Sequence, residues 1–170
     1  GTGRLYATEH GPSGVPGGQD EVNYIEAGKN YGWPIVSGDK TRPGLVSPIL
    51  QSGIAETWAP AGAAFVSQGP WAGSLLFTGL RGETLYRLVL DRTDPQKVST
   101  FERLLVGRFG RLRDVAQGPD GAIYVLTSNR DGRGQRGIGH DDFIRRDGTD
   151  DRYKSDVLRN TRQKWAPYHS

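Results

Sequence analysis

Three times along the chain a glycine is followed at once by a short apolar run. The copies are Gly3-Arg4-Leu5-Tyr6-Ala7-Thr8, Gly121-Ala122-Ile123-Tyr124-Val125-Leu126-Thr127 and, less closely, Gly73-Ser74-Leu75-Leu76-Phe77-Thr78. Their glycines stand 70 and 48 residues apart. Each copy reads as a tight turn leading into a strand. Further strand-like runs fit between them, at 83–91, 99–107 and, with alternating Val22 and Tyr24, at 21–28. Helical periodicity is hard to find before residue 150. The 25 glycines and 10 prolines in 170 residues supply the turns that many short strands need.

Units of about 40–50 residues built from short antiparallel strands are what β-propeller blades look like. A generic β-sandwich fits the local pattern as well. The expected class is all-β, and 170 residues leave room for a partial propeller of about three blades. Residues 1–146 are expected to form this domain. The composition turns polar and charged after Arg146, so 147–170 is expected to be a tail, flexible or not native to the domain. The stretch 29–62, rich in glycine and proline and carrying Trp33 and Trp58, reads as a long ordered loop.

Several function classes drop out on composition. The chain has no cysteine, which removes disulfides, thiolate metal sites and a cysteine nucleophile. A net charge of +3, spread through scattered arginines, gives no basic stripe for nucleic acid. No apolar run approaches the length of a membrane span. No phosphate-binding loop or dinucleotide fingerprint is present. Methionine is absent even at position 1, so the chain is expected to be a piece of a longer protein.

The stretch FGRLRDVAQGPDGAIYVLTSNRDG, residues 109–132, poses a charge problem. Arg111 and Arg113 are two apart, so strand alternation points both to one face. Like charges on one face need an anion between them, and alternation sends Asp114 to the other side. Arg81, in LFTGLRGETLYRL, adds a third arginine at a strand-to-turn junction. The bland reading is a set of salt bridges to Asp114, Asp120 or Glu83. The sharper one is a cationic pocket for an external carboxylate, which the planar fork of arginine grips with two hydrogen bonds.

A second stretch, TEHGPSGVPGGQDEVNYIEAGKNYGWP at 8–34, places the rigid turn Gly11-Pro12 just after a strand end. Such a turn can present backbone carbonyls outward as ligands for a hard cation such as calcium, with Asp20 and Glu21 nearby in sequence. Acidic glycine loops are also common as plain solvated turns. His10 stands beside Glu9, where a packing or capping role is the ordinary one, and no catalytic triad is evident.

Taken together, EHGPSGVPGGQDEVNYIEAGKNYGWP, GLRGETLYRL and GRLRDVAQGPDGAIYVLTSNRDGRG resemble the C-terminal half of the soluble glucose/sorbosone (aldose sugar) dehydrogenases that use pyrroloquinoline quinone (PQQ). The resemblance runs in order over about residues 1–146. It implies a six-bladed propeller with the cofactor over one end of the channel. It also implies that Arg81, Arg111 and Arg113 hold the carboxylates of PQQ, and that the carbonyls of Gly11 and Pro12 hold a calcium ion bound to the quinone. The implied reaction is oxidation of an aldose at C1 to the lactone, by hydride transfer to the calcium-polarised quinone, with an external electron acceptor. The family's histidine base and its Arg-Asn-x-Gln motif have no counterpart in this chain. The base is therefore expected upstream of residue 1, and the isolated piece is expected to be inactive. A propeller module that binds but does not catalyse is the alternative. The resemblance further implies a periplasmic or secreted location. A part-ring leaves open strand edges, so a homodimer is expected to cover them.

Overall fold

The structure, a computed structural model, describes residues 3–14, 17–130, 132–133 and the backbone of 143–146. Among these residues there is no helix, and the strands form three antiparallel sheets. The first holds β1 (Leu5–Glu9), β2 (Glu21–Ile25) and β3 (Leu50–Gln51). The second runs in the order β4 (Pro60–Phe65), β5 (Ser74–Gly79), β6 (Leu85–Leu90), β7 (Val98–Leu104). The third holds β8 (Leu112–Gln117), β9 (Ile123–Thr127) and β10 (Phe143–Arg146).

The middle sheet is covered on both faces. Leu76 and Leu85 turn toward the third sheet and pack with Leu112, Val115, Ile123 and Val125. Their neighbours Leu75, Phe77, Tyr86 and Leu88 turn the other way and pack with Val22 and Trp58. Alternation along one strand thus feeds two cores, which is why every residue of β5 is buried. Phe77 and Tyr86 stack at 4.6 Å, and Trp58 meets both rings at 5.5 and 5.3 Å. Each such side chain contributes about 2 kcal/mol on leaving water.

β4 and β8, each at an edge of its own sheet, touch one another; β4 also touches β1, and β8 touches β5. The sheets therefore converge along these edges as propeller blades do. One blade has its four strands, and one on either side shows three. The recurring glycine–apolar unit falls on β1, β5 and β9. In the second and third blades it is the second strand of the blade in chain order, and in the second blade it also touches β8, the first strand of the next.

Two expectations change. The stretch 29–62 is not all loop: it contains β3 and the start of β4. Pro60-Ala61-Gly62-Ala63-Ala64 lacks the bulky residues that advertise a strand, because the space beside it is filled by its neighbour. A Cβ on Gly62 would collide with Asp114 Oδ1 of β8. The second change concerns β8. Leu112 pairs with Thr127 and Asp114 with Leu126, which leaves Arg113 as an extra, bulged residue. The expected tail, 147–170, lies outside the described residues, as do His140 and His169.

Candidate cofactor site

β1, β5 and β9 each leave their sheet into a short turn: His10-Gly11-Pro12, Leu80-Arg81-Gly82 and Ser128-Asn129-Arg130. A path of hydrogen bonds links the three. It begins at Asp20, which is buried at 2% exposure. Its Oδ1 accepts the Gly11 N–H at 2.9 Å, and its Oδ2 accepts the N–H groups of Trp58 and Ala59 at 2.6 and 2.9 Å. The carbonyl of Trp58 then accepts the N–H groups of Arg81 and Gly82 at 3.2 and 3.0 Å, and that of Ala59 accepts Leu80 N–H at 2.9 Å. Across the next gap, Arg111 Nη1 donates to the Leu80 carbonyl at 3.4 Å. Finally, Asn129 Oδ1 accepts the Arg111 N–H at 2.9 Å.

The predicted site residues are thus gathered at one end of the three blades. Arg81 is exposed in its turn, and no ion pair joins it to Glu83 among the described residues. Arg111 is half-buried just before β8, and Arg113 is exposed with Nη2 donating to Ser128 Oγ at 3.2 Å. The simple alternation argument for this pair does not hold. Arg111 precedes the strand and Arg113 is the bulge, so Arg113 and Asp114 are both exposed between buried Leu112 and Val115. Bulges re-aim side chains in this way beside functional sites.

Gly11 has no room for a side chain, since a Cβ would collide with the Gly18 carbonyl oxygen. Asp20 therefore holds a turn that only glycine fits. Among the described residues neither the Gly11 nor the Pro12 carbonyl accepts a hydrogen bond. Among the same residues no group of three or more histidine or acidic side chains is placed to hold a metal. Asp20 and Glu21, noted beside this turn in the sequence, serve the fold: Glu21 Oε1 accepts the Gly38 N–H at 2.7 Å, and Asn23 Nδ2 donates to its Oε2 at 3.3 Å. Burial is the main cause that raises the Glu21 pKa above its ordinary value, partly offset by these two hydrogen bonds.

His10 Nε2 lies 2.7 Å from the Pro60 carbonyl. A carbonyl can only accept, so this nitrogen carries the proton and the ring braces β1 against β4. That agrees with a packing role. Sequence reasoning missed Asn129 and the role of Asp20, whose partners lie up to 39 residues away. A separate cleft of about 410 Å³, lined by residues including Glu26, Lys29, Val46 and Gln96, lies apart from all of these side chains.

Comparison with known proteins identifies the family. Residues 1–138 match the family model described as glucose/sorbosone dehydrogenase. A solved oxidoreductase (glucose dehydrogenase) of Thermus thermophilus is 47% identical, with a TM-score of 0.72 over 85% of this chain and 41% of that one. The PQQ-bound aldose sugar dehydrogenase of Streptomyces coelicolor is 35% identical, with a TM-score of 0.67 over 84% of this chain and 39% of its own. An aldose sugar dehydrogenase of Escherichia coli is 31% identical over 75% of this chain and 36% of that protein. The chain spans between 36% and 41% of the length of these three relatives. It belongs to the glucose/sorbosone dehydrogenase family, as one region of such a protein.

Proposed function

We propose that this region supplies part of the cofactor end of a PQQ-dependent dehydrogenase, which oxidises an aldose at C1 to the lactone. The observation that carries the reading is the hydrogen-bonded path from Gly11 through Asp20, Trp58 and Leu80 to Arg111, which brings cationic side chains and open carbonyls to one end of three blades. Arg81, Arg111 and Arg113 fit the carboxylates of PQQ, because guanidinium forks match carboxylates. The carbonyls of Gly11 and Pro12 fit a calcium ion. PQQ, when bound, supplies the quinone that accepts the hydride from the sugar.

The part played by this chain is to bind and orient. Arginines on two blades would hold the cofactor's carboxylates, while Asp20 ties the Gly11-Pro12 turn to the segment that holds the Arg81 turn. His10 is not assigned as the base: it belongs to the Glu-His-Gly-Pro turn, where its Nε2–H donates to the Pro60 carbonyl and braces β1 against β4. The base belongs to the part of the family protein that this chain does not span. A sugar substrate, an external electron acceptor and a periplasmic or secreted setting belong to the same reading. Among the described residues no helix is long and apolar enough to cross a membrane. A homodimer completes the proposal.

The test is a calorimetric PQQ titration with calcium on the full-length protein and on its Arg111→Ala/Arg113→Ala variant. Losing two charge-assisted contacts is expected to weaken binding by about 100-fold or more. Unchanged affinity in a folded variant would remove both arginines from the site.

A further inference from the structure

Arg111 is held by more than its place at the head of β8. Asn129, at 8% exposure, lies across the turn Phe109-Gly110-Arg111. Its Nδ2 donates to the Phe109 carbonyl at 2.9 Å while its Oδ1 accepts the Arg111 N–H at 2.9 Å. The partners fix the orientation of the amide, because a carbonyl requires a donor and an N–H requires an acceptor. Gly110 between them has φ of 69°, and a Cβ there would collide with Asn129 Oδ1. The turn is therefore closed around this carboxamide. On the other side, the Ser128 N–H donates to the Arg111 carbonyl at 2.8 Å. Both backbone polar groups of Arg111 are thus bound by two consecutive residues at the exit of β9.

The choice of asparagine follows from this arrangement. Aspartate has acceptors only and would set a carboxylate oxygen against the Phe109 carbonyl. Serine, one atom shorter, offers a single hydroxyl for two partners. Arginine has a long stem with many rotamers, so the direction of its Cα–Cβ bond decides which volume its guanidinium sweeps. Here the guanidinium reaches the carbonyl of Leu80, next to Arg81.

We propose that Asn129 is the positioning residue for Arg111: by clamping the turn before β8 it sets the direction from which the Arg111 guanidinium meets a carboxylate of the cofactor, and so sets cofactor affinity. The inference rests on the PQQ reading above. Asn129 acts through Arg111, in the way that residues behind a ligating group tune its affinity.

The experiment uses the full-length protein in two readouts. Hydrogen exchange without cofactor reports the Arg111 amide, whose protection is expected to fall in Asn129→Ala. Titration of PQQ with calcium then compares the parent, Asn129→Ala, Arg111→Ala and the double variant. Asn129→Ala is expected to weaken PQQ about 10- to 100-fold. The double variant is expected to bind no more weakly than Arg111→Ala alone, since the two changes remove one interaction. Should Asn129→Ala not fold, Asn129→Ser takes its place: its single hydroxyl can serve only one of the two partners, and a smaller loss with the same non-additivity is expected. Parental affinity in the Asn129 variants, or losses that multiply in the double variant, would overturn the inference and leave the cofactor reading intact. Failure of the parent to bind PQQ, or parental affinity in Arg111→Ala, overturns the cofactor reading and the inference with it.

Discussion

Asp20 has two carboxylate oxygens and shares them among three backbone N–H groups, one before β2 and two before β4. Replacing it with alanine leaves one buried and two half-buried N–H groups without this acceptor, at a cost of about 3 kcal/mol. Urea unfolding of Asp20→Ala is expected to show that loss, and calcium titration a weaker Gly11-Pro12 turn; parental values in both would mean the carboxylate is dispensable. Glu21, next to it, is a different case. Its folded pKa is raised, chiefly by burial, above the ordinary 4.5. The stability it contributes is therefore fully present below the unfolded pKa and lost as pH rises through the folded value. Glu21→Gln is expected to flatten the fall of Tm with pH above about 4.5; a variant curve with the parental slope would place the source elsewhere. The arginines of this end were legible because residue type and close spacing carry the signal. Asn129 and Asp20 were not, since each acts through backbone groups that the chain brings close only on folding.

At the scale of elements, the strands that announced themselves were those with bulky apolar residues, β1, β2 and β5 to β9. β4 was hidden because its outline is set from outside, by Asp114 of β8 standing where a Gly62 side chain would be. Gly62→Ala forces that carboxylate aside and disturbs the bulge that follows Leu112. Overpacking of this kind costs about 1–3 kcal/mol. Differential scanning calorimetry is expected to record a lower Tm, with a matching loss of PQQ affinity in the full-length protein because Arg113 is the bulged residue. A lower Tm with intact affinity would uncouple the bulge from the site. The bulge left a trace that the alternation argument passed over: Leu112 and Val115 stand three apart, which strict alternation cannot bury in one core, and the pairing with β9 shows the extra residue between them.

For the whole molecule, the recurring unit suggested blades but fitted a sandwich as well, and the family resemblance decided between them. The unit did not say which strand of the blade it was. That required seeing β4 and β8 beside their partners. β1 stands at the edge of its sheet, with Leu5 60% exposed and Phe65 of β4 45% exposed beside Tyr6. Such an edge is a template for pairing. Chain 1–170 produced alone is expected to self-associate in sedimentation velocity runs, and Leu5→Lys to shift it toward monomer; a folded monomer in both would remove the homodimer. The equivalence of β1, β5 and β9 has a practical side. One structural cassette has been set down three times, and its copies differ most in the residues that follow: His10-Gly11-Pro12, Leu80-Arg81-Gly82, Ser128-Asn129-Arg130. A protein engineer testing the proposed anion site would rewrite those exits together with the Arg111–Arg113 segment, and leave the two cores beneath them alone.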